Sequence, residues 1–136
     1  MEKLLYPAVF SPLEEQPGYC VTIPDLPGCV TQGESLEDAV QMAIDAASGW
    51  LLDELEDGNK LPPASHANSI KCEEGEFVTM LILDIDEYAE KYGNKAIRKN
   101  CTLPAWLNTI AEKANVNFSQ VLQNALKQEL GVTDHQ

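Results

Sequence analysis

From Lys95 to Gly131 the chain offers one short strand and two short amphipathic helices, and about 37 residues of this kind cannot bury a core of their own. The segment opens Lys95-Ala96-Ile97-Arg98-Lys99-Asn100-Cys101-Thr102-Leu103-Pro104. Strand alternation puts Ile97, Cys101 and Leu103 on one face and Arg98, Asn100 and Thr102 on the other. Pro104 suits the first turn of a helix, where its missing N–H costs nothing. A helix over 105–114 then has its stripe at Leu107, Ile110, Ala111 and Ala114. Asn115-Val116-Asn117-Phe118 reads as a turn and Ser119 as the cap of a second helix, which carries Val121, Leu122, Ala125, Leu126 and Leu130 and ends at Gly131. A lone strand makes no sheet. Both deficits disappear if two copies pair their strands and interlock their helices, with Ile97, Cys101, Leu103, Leu107, Ile110, Val121, Leu122, Ala125 and Leu126 as the shared core.

Charge divides the chain at nearly the same place. Residues 1–94 hold four basic side chains against 19 acidic ones, a net of −15. Residues 95–136 hold five basic against three acidic, a net of +2. The overall net of −13 argues against nucleic acid, yet only the acidic part would repel phosphates. That part is built to attract a basic protein, and the final segment alone can approach DNA.

The first part reads as alternating short strands and helices. Tyr6-Pro7-Ala8-Val9-Phe10 and Gly18-Tyr19-Cys20-Val21-Thr22-Ile23 are predicted strands joined by a polar, proline-rich turn. Pro24-Asp25-Leu26-Pro27-Gly28 is turn chemistry, and Cys29-Val30-Thr31-Gln32-Gly33 is a third short strand. Ser35 caps a long helix with Glu37 and Asp38 in its positive first turn. Its stripe runs Leu36, Ala39, Val40, Ala43, Ala47, Trp50, Leu51, Leu55, with Gly58 as the stop and Trp50 placed in the core. Lys60 to Gly75 reads as loop. Phe77 to Leu83 is the most strand-like run and is expected at the centre of the sheet. A short helix over 84–92 ends at Gly93-Asn94. The expectation is an α+β protein: a βββαβα domain over residues 1–92, then a dimerising module over 93–136.

The order strand, apolar residue, proline, helix, Asn-rich turn and capped helix over Lys95–Gly131 closely resembles the ribbon-helix-helix family. That resemblance implies a dimer whose paired strands enter the major groove. Arg98, Asn100 and Thr102 would then read base edges, Arg toward guanine and Asn toward adenine. Amides at the start of the second helix, near Asn117, Phe118 and Ser119, would anchor a phosphate, and Lys95 and Lys99 are further phosphate contacts or plain solubilising charges. The run from Tyr6 to Phe10, the stretch Gly18 to Gly33 with its P-D-L-P-G-C turn, and Ser35-Leu36-Glu37-Asp38-Ala39 are similar to the N-terminal domain of HicB-type antitoxins. This second resemblance implies a degenerate, partial RNase H-like fold. It also implies a small basic HicA-type ribonuclease as partner, masked at its catalytic histidine or RNA surface, and repression of the protein's own operon. Candidate toxin contacts are Asp25, Leu26, Glu34 and the acidic helix end Asp53, Glu54, Glu56 and Asp57, against the alternative of a plain solvated face. A two-plus-two assembly with the toxin follows.

Rival readings are weaker. Asp25, Glu37, Asp84 and Asp86 invite comparison with two-metal nucleases, but Asp84 and Asp86 equally suit a helix start and no basic residue stands near to hold substrate. No nucleophilic grouping or phosphate loop is present, so no enzyme and no cofactor is expected. Cys20, Cys29, Cys72 and Cys101 lack metal or disulfide spacing, and His66 and His135 sit in loop-like or terminal sequence. Reduced, mostly buried thiols are the simpler expectation. A regulator whose first domain senses a small ligand is the remaining alternative. Without a membrane-length apolar run or a signal-like start, the expected location is cytoplasmic.

Overall fold

A computed structural model describes residues 1–133; His135, and Asp134 as one of the three acidic residues of 95–136, lie outside them. The chain separates into two compact units, Met1–Gly93 and Asn94–Gln136.

The first unit has the order βββαβα. Strands β1 (Leu4–Pro12), β2 (Tyr19–Thr22), β3 (Val30–Gly33) and β4 (Phe77–Leu83) form one antiparallel sheet in the order β3-β2-β1-β4. Helix α1 (Leu36–Glu56) covers one face, and α2 (Ile85–Tyr92) follows β4. The outer strand corrects an expectation: β4 pairs with β1 alone and lies at the edge, while β1 holds the centre. Its uncharged, largely apolar run suggested burial on both faces. Only Leu81 and Leu83 are buried, whereas Met80 and Ile82 are 39% and 61% exposed.

Alternation fixes which β1 residues enter the core. Tyr6, Ala8 and Phe10 point inward with Val21, Ile23, Leu81 and Leu83. Each fully buried Val, Leu, Ile or Phe side chain among these stabilises by roughly 1.5–3 kcal/mol relative to exposure. The Phe10 ring stacks on Phe77 at 5.2 Å and meets Tyr19 edge-on at 6.3 Å, adding aromatic geometry to area. Against this layer α1 presents Ala39, Ala43, Ala47 and Leu51, one residue every four, all buried. The small side chains let the helix axis lie close to the sheet. The Ser35 hydroxyl accepts from the Asp38 amide at 3.1 Å and the Asp38 carboxylate accepts from the Glu34 amide at 2.9 Å, a reciprocal N-terminal lock. Gly33 makes the approach feasible: a Cβ there would sit 2.3 Å from the Ala39 nitrogen. Trp50 is half-buried against the core and donates its indole N–H to the Pro27 carbonyl.

The 57–76 connection is held by side chains rather than ladders. Tyr6 donates its hydroxyl to the Pro62 carbonyl, Asp25 accepts twice from Ser65, and a short 3-10 turn at Ala67–Ser69 lies against β4. Asp84 caps α2 by accepting from the Glu87 amide.

The second unit contains α3 (Ala105–Lys113) and α4 (Phe118–Leu130). Pro104 stands at the cap of α3, where its carbonyl accepts from Leu107 and Asn108. Asn115 takes φ 55°, and the Asn115 and Val116 amides close onto Glu112 and Ala111, a left-handed stop at a residue type that tolerates it. The cap of α4 is Asn117, whose side-chain oxygen accepts from the Gln120 amide at 3.1 Å. Ser119 therefore lies inside the helix rather than capping it, because the helix begins two residues earlier than a Ser119 cap would set it, at Phe118. Gly131 ends α4 at φ 66°. The strand expected over 97–103 makes no ladder in a single chain, since a strand needs a neighbour to bond with and this unit supplies none.

Candidate partner-binding surfaces

Nothing in α3 or α4 is buried. Ile97 is 85% exposed, Ile110 59%, Val121 54% and Leu126 50%, with Leu103, Leu107 and Leu122 exposed beside them. Ala125 and Cys101 are exposed too. The apolar residues assigned to a shared core thus form an uncovered surface. Arg98, Asn100, Thr102, Lys95 and Lys99 are all exposed. Phe118 and Ser119 stand exposed in the first turn of α4, while the Asn117 side chain is taken up by its own cap. Sequence reading passed over Trp106, 66% exposed in the first turn of α3. Its signal was available: a tryptophan beside, not on, the Leu107–Ile110 stripe.

In the acidic unit the proposed contact set is not one site. Leu26 is 1% exposed and belongs to the core; the turn folds its apolar residue inward and leaves Pro24, Pro27 and Gly28 outside. Asp25 is half-buried and engaged, its two oxygens accepting from the Ser65 amide at 2.9 Å and hydroxyl at 2.6 Å. Glu34 lies before α1, whereas Asp53, Glu54, Glu56 and Asp57 lie at its far end, so a helix of 21 residues separates them by about 30 Å. Asp53, Glu56 and Asp57 are exposed and Glu54 half-buried.

The carboxylates behind the nuclease reading are dispersed into structural tasks. Asp84 caps α2, Asp86 accepts from the Met1 amino group at 2.6 Å, Asp25 holds Ser65, and Glu37 lies in the first turn of α1. Among the described residues no three His, Cys, Asp or Glu side chains group as metal ligands. Clefts of about 300 and 340 Å³ flank the start of α1, lined by Gln16, Gln32, Glu34, Glu37, Asp38 and Gln41 among others, a rim hostile to anionic ligands. The four cysteines are free, but not mostly buried: Cys72 and Cys101 are exposed, Cys20 is half-buried, and Cys29 alone is inside, where burial pushes its thiol pKa up. Cys72 and Cys101 fall in loop or unpartnered segments that no core covers. Among the described residues no helix is long and apolar enough to cross a membrane.

What sequence reading missed lies on the outer face of the sheet, away from α1. Register brings Leu5 opposite Ile82, Pro7 opposite Met80 and Val9 opposite Val78, with Thr22 and Val30 continuing the last row; Pro7 is buried and Val9 and Val78 are half-buried. Leu5 is 51% exposed and Val30 56%.

Residues 6–127 match the family described as the HicB-like antitoxin of bacterial toxin–antitoxin systems. The chain belongs to the HicB-like antitoxin family. This is a family of antitoxins rather than enzymes. Antitoxin HicB 1 of Photorhabdus laumondii is 39% identical over 62 residues, 46% of this chain and 39% of that protein. A 14.9 kDa protein of the rep–hol intergenic region of Haemophilus phage HP1 is 30% identical over 104 residues, 76% of each chain. Among solved structures, a chain of a toxin–antitoxin complex from Streptococcus pneumoniae superposes with a TM-score of 0.71 at 25% identity, over 93% of this HicB-like chain and 99% of that one. The Burkholderia pseudomallei antitoxin HicB shares the fold at TM-score 0.55 and 20% identity, over 96% and 98% of the two chains.

Proposed function

We propose that this antitoxin binds a small basic HicA-type ribonuclease through its acidic unit, masks that enzyme's active site, and represses its own operon as a ribbon-helix-helix dimer. The observation that carries this reading is the split of charge and burial between the units. Met1–Gly93 has a complete core and nearly all the negative charge, which steers and complements a basic protein. Asn94–Gln136 has a bare apolar surface that a second copy would cover, and an Arg98-Asn100-Thr102 row chemically suited to base edges. The first unit is read as a partial RNase H-like fold that has kept its sheet and lost its catalytic role, in the cytoplasm where toxin and operator both reside. Two antitoxin chains joined through 95–131, each holding one toxin, make a two-plus-two complex.

Co-expression with the small open reading frame beside this gene, followed by affinity capture and light scattering, tests the reading. Copurification of a basic protein of two-plus-two stoichiometry, whose RNA cleavage is suppressed, is the expected result. A toxin that stays active and unbound in the presence of folded antitoxin would refute it.

A further inference from the structure

We infer that the basic partner docks on the outer face of the sheet, across Leu5, Met80 and Ile82 and along the β4 edge. The inference rests on the antitoxin reading and assigns its surface. Leu5 and Ile82 are register partners, and Met80 lies two residues from Ile82 on the same side of β4, opposite a Pro7 that is itself buried, so the exposed apolar patch is Leu5, Ile82 and Met80 at the β4 side of the face. All three are at least 39% exposed in a unit whose core lies between the other face and α1. The strand Phe77-Val78-Thr79-Met80-Leu81-Ile82-Leu83 contains no charge and no proline; among the described residues its strand neighbour is β1 alone, and the short Ala67–Ser69 turn also packs against it. Natural edge strands are usually blunted by Lys, Pro or a bulge, and one left plain is suited to receive another chain.

Charge selects the occupant. Glu73, Glu74 and Glu76 precede β4, and Asp84, Asp86 and Glu87 follow it, so acids bracket the strand at both ends. A second copy would bring the same acids and a net of −15 against its own kind. A basic protein with an apolar patch meets attraction at the rim and burial at the centre, the usual division of an interface. The acidic end of α1, by contrast, offers charge without an apolar anchor: Asp53, Glu56 and Asp57 are exposed and Leu55 is packed into the core.

The test uses the full-length chain and the HicA-type protein encoded beside it. Ile82→Glu and Met80→Glu are expected to weaken toxin binding about 30-fold or more, the loss typical of an interface anchor. The quadruple variant D53N/E54Q/E56Q/D57N is expected to stay within a few-fold of wild type. Amide exchange on the wild-type complex guards against misfolded variants, with new protection expected over 4–9 and 77–83. Unchanged affinity in both face variants, or no new protection in those segments, overturns the surface while wild-type toxin binding leaves the antitoxin reading standing. Wild type that binds no toxin fails the antitoxin reading itself. Face variants that break apart a toxin-free oligomer and leave toxin affinity intact would hand the surface to a second copy and overturn the inference.

Discussion

The carboxylate of Asp25 accepts from both the amide and the hydroxyl of Ser65, forty residues later in the chain. This pair ties the turn after β2 to the connection between α1 and β4. A hydrogen bond to a charged group contributes about 1.5–3 kcal/mol. Asp25→Ala is therefore expected to destabilise the acidic unit by about 1–3 kcal/mol, a fall of several degrees in Tm. Ser65→Ala should give a smaller drop, because the amide bond survives. Calorimetry on both variants checks this, and toxin affinity of the folded Asp25→Ala protein should stay near wild type.

Operator binding isolates the polar row of the second unit. Arg98→Ala and Asn100→Ala are each expected to lose about 1–3 kcal/mol of specific binding, the discrimination carried by a good base contact. Fluorescence anisotropy with the operator and with a scrambled duplex reads this out. Toxin neutralisation should survive in both variants. Full operator specificity in both would remove these residues from the reading face.

Cysteine reactivity reports assembly. Cys72 and Cys101 are exposed in the single chain, and Cys101 would share a face with Ile97 and Leu103 in the paired strand. If two copies pair there, iodoacetamide should label Cys72 at the same rate at all protein concentrations and Cys101 faster as the sample is diluted. Mass spectrometry of the digested protein distinguishes the two. Equal, concentration-independent labelling of both would contradict pairing through 97–103.

Alkaline pH should weaken the first unit. Burial pushes the Cys29 thiol up, and burial followed by the Asp25 charge pushes the Tyr6 phenol up. The folded state then holds these protons more tightly than the unfolded chain. Their contribution is fully present below the ordinary thiol value of about 8.5 and declines as pH rises through the thiol and then the phenol range. Urea midpoints measured from pH 7 to 10.5 should fall, and Cys29→Ala should flatten the earlier part of the decline.

Much of this was legible in the sequence because it is local. Ser35 as cap, the Ala39-Ala43-Ala47-Leu51 spacing and Gly131 as stop each depend on residues within one or two turns. The exceptions have physical reasons. Asn117 and Ser119 are both able to cap, and the choice turned on whether Phe118 enters the helix. The place of β4 depends on which strand returns beside β1, a long-range pairing, and its largely apolar run is split between the core, with Leu81 and Leu83, and a face that α1 does not cover, with Met80 and Ile82. The Asp25–Ser65 and Tyr6–Pro62 ties join segments 40 and 56 residues apart, beyond what periodicity can report. Of the candidate contacts, Leu26 was lost because a turn can fold its apolar residue either way.

A plain, apolar β4 edge would ordinarily be an invitation to aggregate. Here the surplus of carboxylates works as a colloidal stabiliser, holding free antitoxin molecules apart by mutual repulsion. That protection reaches only as far as the Debye length, about 8 Å at physiological ionic strength and about 3 Å at 1 M. Solubility of the toxin-free protein is thus an electrostatic property, lost on salting or on acidification toward the sequence pI of 4.3. Toxin-bound protein, with the same face covered, should aggregate less under either condition for as long as the complex holds.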